Sequence, residues 1–466
     1  MIPTIFLDVK ILSFLWLVNF TPPLLAFFLD DRLSRPLDFG KTFKDGRPLL
    51  GPNKTWRGLI SALASGSLLA LLFGFPVWIG FFAALLSMTG DLISSFTKRR
   101  FAKPSGKNFP VLDQFIEGTL PFIVLTPHFQ LGLLRSIILI FLFCLGAYIG
   151  SFFYKSILMK EPFPQYPRTL KPRTRFKEIS SCSPDLKSFR HIFHFEEAVY
   201  YHRIINFFFR ITGLYEPGKK NALNIGIVHK LVTLPRLPEE FNNFKIIYFS
   251  DLHIDGLKEL VPEINRILKN ETPDICIFGG DLRMSSYGEY TTSLDLFSKI
   301  VIKINSRYGI YAVLGNHDCL EMIPAMESMG VKVLLNDSAK IEKNEQNIYL
   351  VGVDDPHYYD CANLEMASRD VPDYSFKIFL CHSPEMYKEA AEKGMDLYLC
   401  GHTHAGQVQL PKIGPVFTHS RSPRSIAQGF WKIGNMQGYT SSGVGVSGVP
   451  VRFMTRGEIL SLTLIR

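Results

Sequence analysis

The stretch "LYLCGHTHAGQV", Leu397 to Val408, decides how the C-terminal half is read. A short apolar run meets Gly401, and two histidines follow with one residue between them. A run this short, bounded by glycine, reads as a buried strand, and the polar residues beyond it occupy the loop at its end. In a tight loop both His402 and His404 lean toward one point. The pattern recurs upstream: "KIIYFS" runs into Asp251, "ICIFGG" into Asp281, "IYAVLG" into Asn316 and "FKIFLC" into His382. Helical stretches such as "LKELVPEINRILK" separate some of these runs. Short buried strands alternating with helices predict a layered α/β domain, with polar groups gathered in the crevice at the strand ends.

The polar endings are "DLH", "GD", "GNHD", "CH" and "GHTH". They supply Asp251, His253, Asp281, Asn316, His317, His382, His402 and His404. Carboxylate, amide and imidazole donors together suit Mn, Fe or Zn, whereas an all-oxygen set would suit Mg or Ca. The set is too large for one four-coordinate ion, and two metals sharing a bridging carboxylate would use it. Gly280, Gly315 and Gly401 leave room for backbone to approach the site. Each motif alone is weak, since "GD" is common in loops and "GNHD" could be a simple turn. Five in this order, each closing a strand-like run, make coincidence improbable.

With 466 residues the chain has room for two or three domains. Hydrophobic residues make up 47 %, including 39 Phe, and the formal net charge is +9. The basic residues near the N-terminus lie between apolar runs, which favours a membrane over nucleic acid, and no nucleic-acid partner is expected. The 7 cysteines form no CxxC pair. An odd, scattered set reads as small buried residues in a reducing compartment, not as a disulfide framework.

Residues 1–160 read as a polytopic membrane domain of about five spans: Ile5 to Leu29, Leu59 to Phe73, Val77 to about Phe96, a short one from about Phe115 to Leu125, and Leu133 to Phe153. The first span lacks the basic start and small-residue cleavage site of a signal peptide. The loops "DDRLSRPLDFGKTFKDGRPLLGPNKTWRG" and "KRRFAKPSGK", with Lys155 and Lys160, all fall on one side if there are five spans. The positive-inside rule makes that side the cytoplasm. The expected location is therefore the inner (cytoplasmic) membrane, multi-pass, with the catalytic domain cytoplasmic. Residues 161–235 read as a Pro-, Lys- and Arg-rich linker followed by an amphipathic helix over about 195–215, lying in the interface. The α/β domain then covers 236–466. An acid within a span, as at Asp91, is costly and suggests function, and carboxylates beside Lys and Arg can hold Mg²⁺ with a polyphosphate.

"DFGKTFKDGRPLLGPNKTWRG", "GDLISSFTKRR" and "VLDQF" resemble the CDP-archaeol synthase family of membrane cytidylyltransferases. The resemblance implies nucleotidyl transfer from CTP to a phospholipid-like acceptor with Mg²⁺. Lys54 and Arg57 would meet phosphates beside Lys98 and Arg99, and Asp91 and Asp113 would bind metal. One departure is Ile116, which stands where that family has a second Asp, with Glu117 beside it. Residues 240–466 resemble the calcineurin-like metallophosphoesterases. "LVGVDDP", "GHTHAGQVQLP" and "SGVGVSGVPVRF" are similar to the membrane-associated branch that includes the UDP-2,3-diacylglucosamine pyrophosphatases of lipid A synthesis. This implies a layered β-sandwich flanked by helices. It also implies one metal on Asp251, His253 and His404, a second on Asn316, His382 and His402, and Asp281 as the bridge. His317 would stand near the leaving group, with Asp318 orienting it, and the two metals would activate water for in-line attack on phosphorus.

These readings predict a membrane-bound phosphoesterase acting on a phosphorylated or nucleotide-linked lipid, such as UDP-2,3-diacylglucosamine. The alternatives are a bifunctional enzyme whose first half makes a CDP-activated lipid, and a membrane scaffold with vestigial sites.

Overall fold

A computed structural model describes residues 2–29, 32–101, 112–153, 166, 168, 172–182, 201, 203–412, 414–415 and 417–466. The chain forms two compact units, one of residues 1–160 with 171–175, the other of 161–170 with 176–466.

The first unit is helical. Its long apolar helices are α1 (Ile2–Leu29), α2 (Trp56–Phe73), α3 (Val77–Arg100) and α6 (Leu133–Phe153). Each contains a segment long and apolar enough to cross a membrane. The expected fourth span is not one helix. Its residues form α4 (Leu112–Thr119) and α5 (Phe122–His128), broken at Leu120 and Pro121, because proline has no N–H to continue a helix. The pair still runs antiparallel to α3 from end to end. At one end a Cβ built on Gly90 would lie 2.7 Å from the Cα of Glu117. Near the other, Trp78 packs on His128 at 5.5 Å and Phe75 on Phe129 at 4.8 Å. α6 then returns: Ser136 meets Thr126 at 3.0 Å, and further along Cys144 donates to the carbonyl of Gln114 at 3.4 Å. Among the described residues the first unit thus holds four helices long and apolar enough to cross a membrane, with the broken helix of α4 and α5 between the third and the fourth.

Small residues let these helices approach. A Cβ on Gly66 would lie 2.7 Å from the carbonyl oxygen of Gly80. Asp8 of α1 pairs with Arg135 at the start of α6 at 2.7 Å, and Lys10 donates to the carbonyl of Phe73 at 2.9 Å. The ends of α1, α2, α5 and α6 that meet there mark one face of the unit. The loop 32–55 and Lys98–Arg100 lie at the other.

The second unit is a four-layer α/β/β/α sandwich. One sheet has the order β1 (Gly226–Thr233), β14 (Glu458–Ile465), β2 (Phe244–Phe249), β3 (Ile275–Phe278), β4 (Ile310–Ala312), β5 (Val331–Val333). The other has the order β12 (Gly429–Ile433), β13 (Met436–Thr440), β9 (Leu397–Cys400), β8 (Phe376–Leu380), β7 (Gln346–Gly352), β6 (Asp337–Lys343). Strand alternation sorts the layers. Ile246 and Tyr248 of β2 meet Leu350, Ile378 and Leu399 of the facing sheet, while Ile247 and Phe249 point to the helices outside. β2, β3 and β4 are parallel, as are β7, β8 and β9, so their C-terminal ends deliver their loops to one edge.

Two expectations change here. β1, within the stretch read as linker, is an edge strand paired parallel with β14. Cys182, at the end of α7 (Pro172–Cys182), is disulfide-bonded to Cys319 across 137 residues of sequence. The cysteines are therefore not all free, although Cys144, Cys276, Cys361, Cys381 and Cys400 are. Of the expected amphipathic helix, 195–200 and 202 lie outside the described residues. The visible part continues into α8 (Asn206–Ile211) and α9 (Tyr215–Leu223).

Candidate metal centre

The five strand ends converge. Asp251 follows β2, Asp281 follows β3, Asn316 and His317 follow β4, His382 follows β8, and His402 and His404 follow β9. Asp251, His253, Asp281, His382, His402 and His404 are all buried. Asp281 Oδ2 sits centrally, 3.2 Å from His382 Nε2, 3.7 Å from His253 Nε2 and 3.8 Å from His317 Nε2. Asp251 Oδ1 lies 3.4 Å from His404 Nε2. Asn316 Oδ1 lies 2.8 Å from His402 Nδ1. Three groups of the expected side chains are spaced to hold an ion, Asp251–His253–His404, His253–Asp281–His317 and Asp281–His382–His402, and a further group, His357–Glu385–His402, shares His402.

The local backbone serves this convergence. Asp251, His253, Asp281, His402 and His404 all have positive φ, a region that costs a non-glycine residue and clusters at functional sites. A Cβ on Gly315 would fall 2.1 Å from Asp281 Oδ1, and one on Gly401 2.2 Å from Asp251 Oδ2, so neither position has room for a side chain.

The outward ring nitrogens are fixed by backbone. His253 Nδ1 donates to the carbonyl of Arg283 at 2.7 Å, His382 Nδ1 to Gly279 at 2.7 Å, and His402 Nε2 to His419 at 3.0 Å. Each ring therefore turns its other nitrogen to the centre, the arrangement that prepares imidazole for a metal. The Nε2 atoms of His253 and His404 lie only 3.1 Å apart, a spacing two lone pairs do not adopt without a proton or cation between them. The donor set thus fits two divalent ions.

Electrostatics agree. Burial, with His317 nearby, lowers His253; burial, with His382 and His357 nearby, holds His402 well down; burial, with His253 and Arg452 nearby, does the same to His404. These rings are neutral and ready to coordinate. Burial also opposes charge on His382, but Asp281 and Asp251 facing it push it up to about 10. Burial opposes charge on Asp281 as well, yet His382 and His317 hold it well below the usual carboxylate range.

Asp318 acts differently from expectation. Its carboxylate accepts the backbone N–H groups of Asp281, Leu282 and Gly315 at 2.8, 2.8 and 2.9 Å, and so ties two ligand loops together without holding the His317 ring. His317 is oriented instead through its backbone. Its N–H donates to Asp281 Oδ1 at 2.8 Å, and its carbonyl accepts from the buried guanidinium of Arg283. Arg283 lies two residues past "GD", a signal that could have been noticed. Arg452, also fully buried, donates to the carbonyls of Ser442, Gly443 and Gly445 beside the centre. His357 carried no local signal. Its ring lies 4.3 Å from that of His402, and Nδ1 is 2.7 Å from Glu385 Oε1.

In the membrane unit, Lys54 Nζ lies 2.7 and 2.6 Å from the two oxygens of Asp91. Arg57 donates to the carbonyl of Arg32 at 2.5 Å, and Arg99 to that of Leu50 at 3.4 Å. Lys98 is on the last turn of α3. The side chain of Asp113 lies outside the described residues. Among the described residues, no group of three acidic, His or Cys side chains in this unit is spaced to hold a metal.

Known proteins divide along the same line. The calcineurin-like phosphoesterase family matches residues 244–406, and the CDP-archaeol synthase family matches 9–77 and 73–155. The chain is 28 % identical over 249 residues to the metallophosphoesterase YkuE of Bacillus subtilis, covering 49 % of this chain and 81 % of that protein. It is 27 % identical over 231 residues to the phosphodiesterase YaeI of Escherichia coli, covering 48 % of this chain and 82 % of that protein. It is 43 % identical over 93 residues to a CDP-archaeol synthase of Hyperthermus butylicus, covering 18 % of this chain and 55 % of that protein. The match thus spans about half the length of this last relative. Sandwich and donor set define a metallophosphoesterase domain. The whole chain is a membrane protein that joins a CDP-archaeol synthase-like region to that calcineurin-like domain.

Proposed function

We propose that the protein is a membrane-bound phosphohydrolase whose substrate is a phosphorylated or nucleotide-linked lipid. The observation that carries this is the convergence of Asp251, His253, Asp281, Asn316, His382, His402 and His404 from five strand ends. Asp251, His253 and His404 would hold one ion, Asn316, His382 and His402 the other, and Asp281 both. Two divalent cations bound there supply Lewis-acid activation of water and of phosphoryl oxygens. Of the rings that face Asp281, His317 is the most open, with 12 % of its side chain exposed. It is placed to bind a phosphoryl oxygen or to hand a proton to the leaving oxygen. Lipid as substrate class is supported by the membrane region in the same chain. UDP-2,3-diacylglucosamine is the specific candidate.

The test is incubation of the purified full-length protein with Mn²⁺ and a panel of nucleotide lipids, with products read by mass spectrometry. UMP plus a lipid phosphate supports the specific candidate. No hydrolysis of any lipid or of bis(p-nitrophenyl) phosphate removes the phosphohydrolase.

A second activity, CTP-dependent cytidylyl transfer, is favoured by the Lys54–Asp91 pair and the match over the first half. CTP-dependent labelling of a phospholipid acceptor tests it. The proposed orientation is cytoplasmic for the catalytic domain. Five passes put residues after α6 on the side of the basic loops. The Cys182–Cys319 disulfide sets a condition, since cytosolic disulfides persist mainly in hyperthermophiles.

A further inference from the structure

The catalytic unit carries an apolar face that its own core does not use. Phe209 of α8 packs inward, stacked on Phe453 with ring centres 5.9 Å apart. Its neighbours face out: Phe207 is 64 % exposed, Phe208 51 % and Ile211 63 %. Two catalytic-domain loops add to the face. Met454 follows Phe453 and is exposed, and Phe417 is exposed with its ring 6.2 Å from that of His419. His419 links this face to the centre. Its ring nitrogen lies 3.2 Å from the Tyr201 hydroxyl, and its carbonyl accepts from His402.

Exposed aromatic side chains in such a group are costly in water and mark an interaction site. The rim is net basic, with Arg203, Arg210 and Lys220 exposed beside a single exposed acid on that segment, Glu216. Apolar side chains ringed by Lys and Arg suit an anionic bilayer surface, where rings enter the acyl boundary and cations meet phosphates. A bilayer is also always within reach, because the same chain spans one and only 47 residues separate Phe153 from Tyr201. A second copy would bring the same basic rim against this one.

We infer that this face is a lipid-facing platform that sits in the bilayer surface and holds the metal centre over headgroups, so that the phosphate cleaved belongs to a lipid still seated in the membrane. The substrate part rests on the phosphohydrolase reading; the membrane contact does not.

The test uses the full-length protein in liposomes of 3:1 phosphatidylcholine and phosphatidylglycerol. A photo-crosslinking benzoylphenylalanine replaces Phe208 or Phe417 and, as a control, the exposed Lys303. Lipid adducts at 208 and 417 but not at 303 are expected. No adduct at either, or crosslinks to a second copy instead, would overturn the platform. Phe207→Asp combined with Phe208→Asp should cut turnover of a liposome-embedded p-nitrophenyl phosphodiester lipid at least tenfold, and that of soluble bis(p-nitrophenyl) phosphate less than twofold. Equal loss on both overturns the substrate claim. If the unsubstituted protein hydrolyses neither ester, the phosphohydrolase reading fails, while the adducts still decide the membrane contact.

Discussion

At Asp281 two demands meet: it faces the rings of His253, His317 and His382, and it receives the backbone N–H of His317. Asp281→Ala should therefore lose bound metal at both positions and lower phosphodiester turnover more than about a hundredfold. His317→Ala should slow turnover by about 10²–10⁴ with metal content unchanged. Metal analysis beside kinetics separates the two, and loss of both ions on removing His317 would make it a ligand. His382 adds a dependence on pH. Pushed up to about 10, it carries a proton at neutral pH in the metal-free protein, and a metal must displace it. Uptake should release roughly one proton per centre from this residue, so affinity rises with pH while the pH stays below that value. Calorimetric titration in buffers of different ionisation enthalpy reads this directly. Heats that do not vary with buffer would mean a neutral His382.

At the scale of elements, the broken helix of α4 and α5 depends on close backbone contact. Gly90→Leu would drive a side chain into the backbone at Ile116 and Glu117. Overpacking of this kind typically costs about 1–3 kcal/mol, so the variant should melt lower by intrinsic fluorescence in detergent. An unchanged melting temperature would mean that α3 and α4 are not packed this way. The strands of the catalytic unit were legible because each ligand loop follows a short apolar run, as "IYAVLG" precedes Asn316. The break between α4 and α5 was signalled by "GTLPF", Gly118 to Phe122, but a hydropathy reading averages over it. Contacts between distant segments left no local trace. Nothing near Cys182 announces Cys319, and the family resemblance implied that Asp318 orients His317 where the carboxylate actually binds backbone of another loop.

For the whole molecule, the two units carry separate clusters: Lys54 with Asp91 in one, the strand-end donors in the other. Asp91→Ala should leave phosphodiester hydrolysis within about twofold, and Asp281→Ala should leave any CTP-dependent lipid labelling intact. Loss of both activities from either change would mean a shared site. The proposed cytoplasmic orientation predicts that a cysteine introduced at Lys303 escapes a membrane-impermeant maleimide in whole cells and reacts after lysis. Labelling in intact cells would place the catalytic unit outside.

The Cys182–Cys319 bond also changes what cutting the chain accomplishes. The segment between Ser183 and Tyr200 joins the part of the chain that ends at Cys182, and carries the membrane region, to the strands of the catalytic unit along the backbone, but it is not the sole covalent route. A protease site inserted there and cleaved to completion should leave the catalytic fragment in the membrane pellet, still tethered through Cys319 to the anchored piece that ends near Cys182. Adding a reductant after cleavage removes this second covalent link, and the two fragments should then migrate apart in a denaturing gel. If they already do so without reductant, the bridge was never closed.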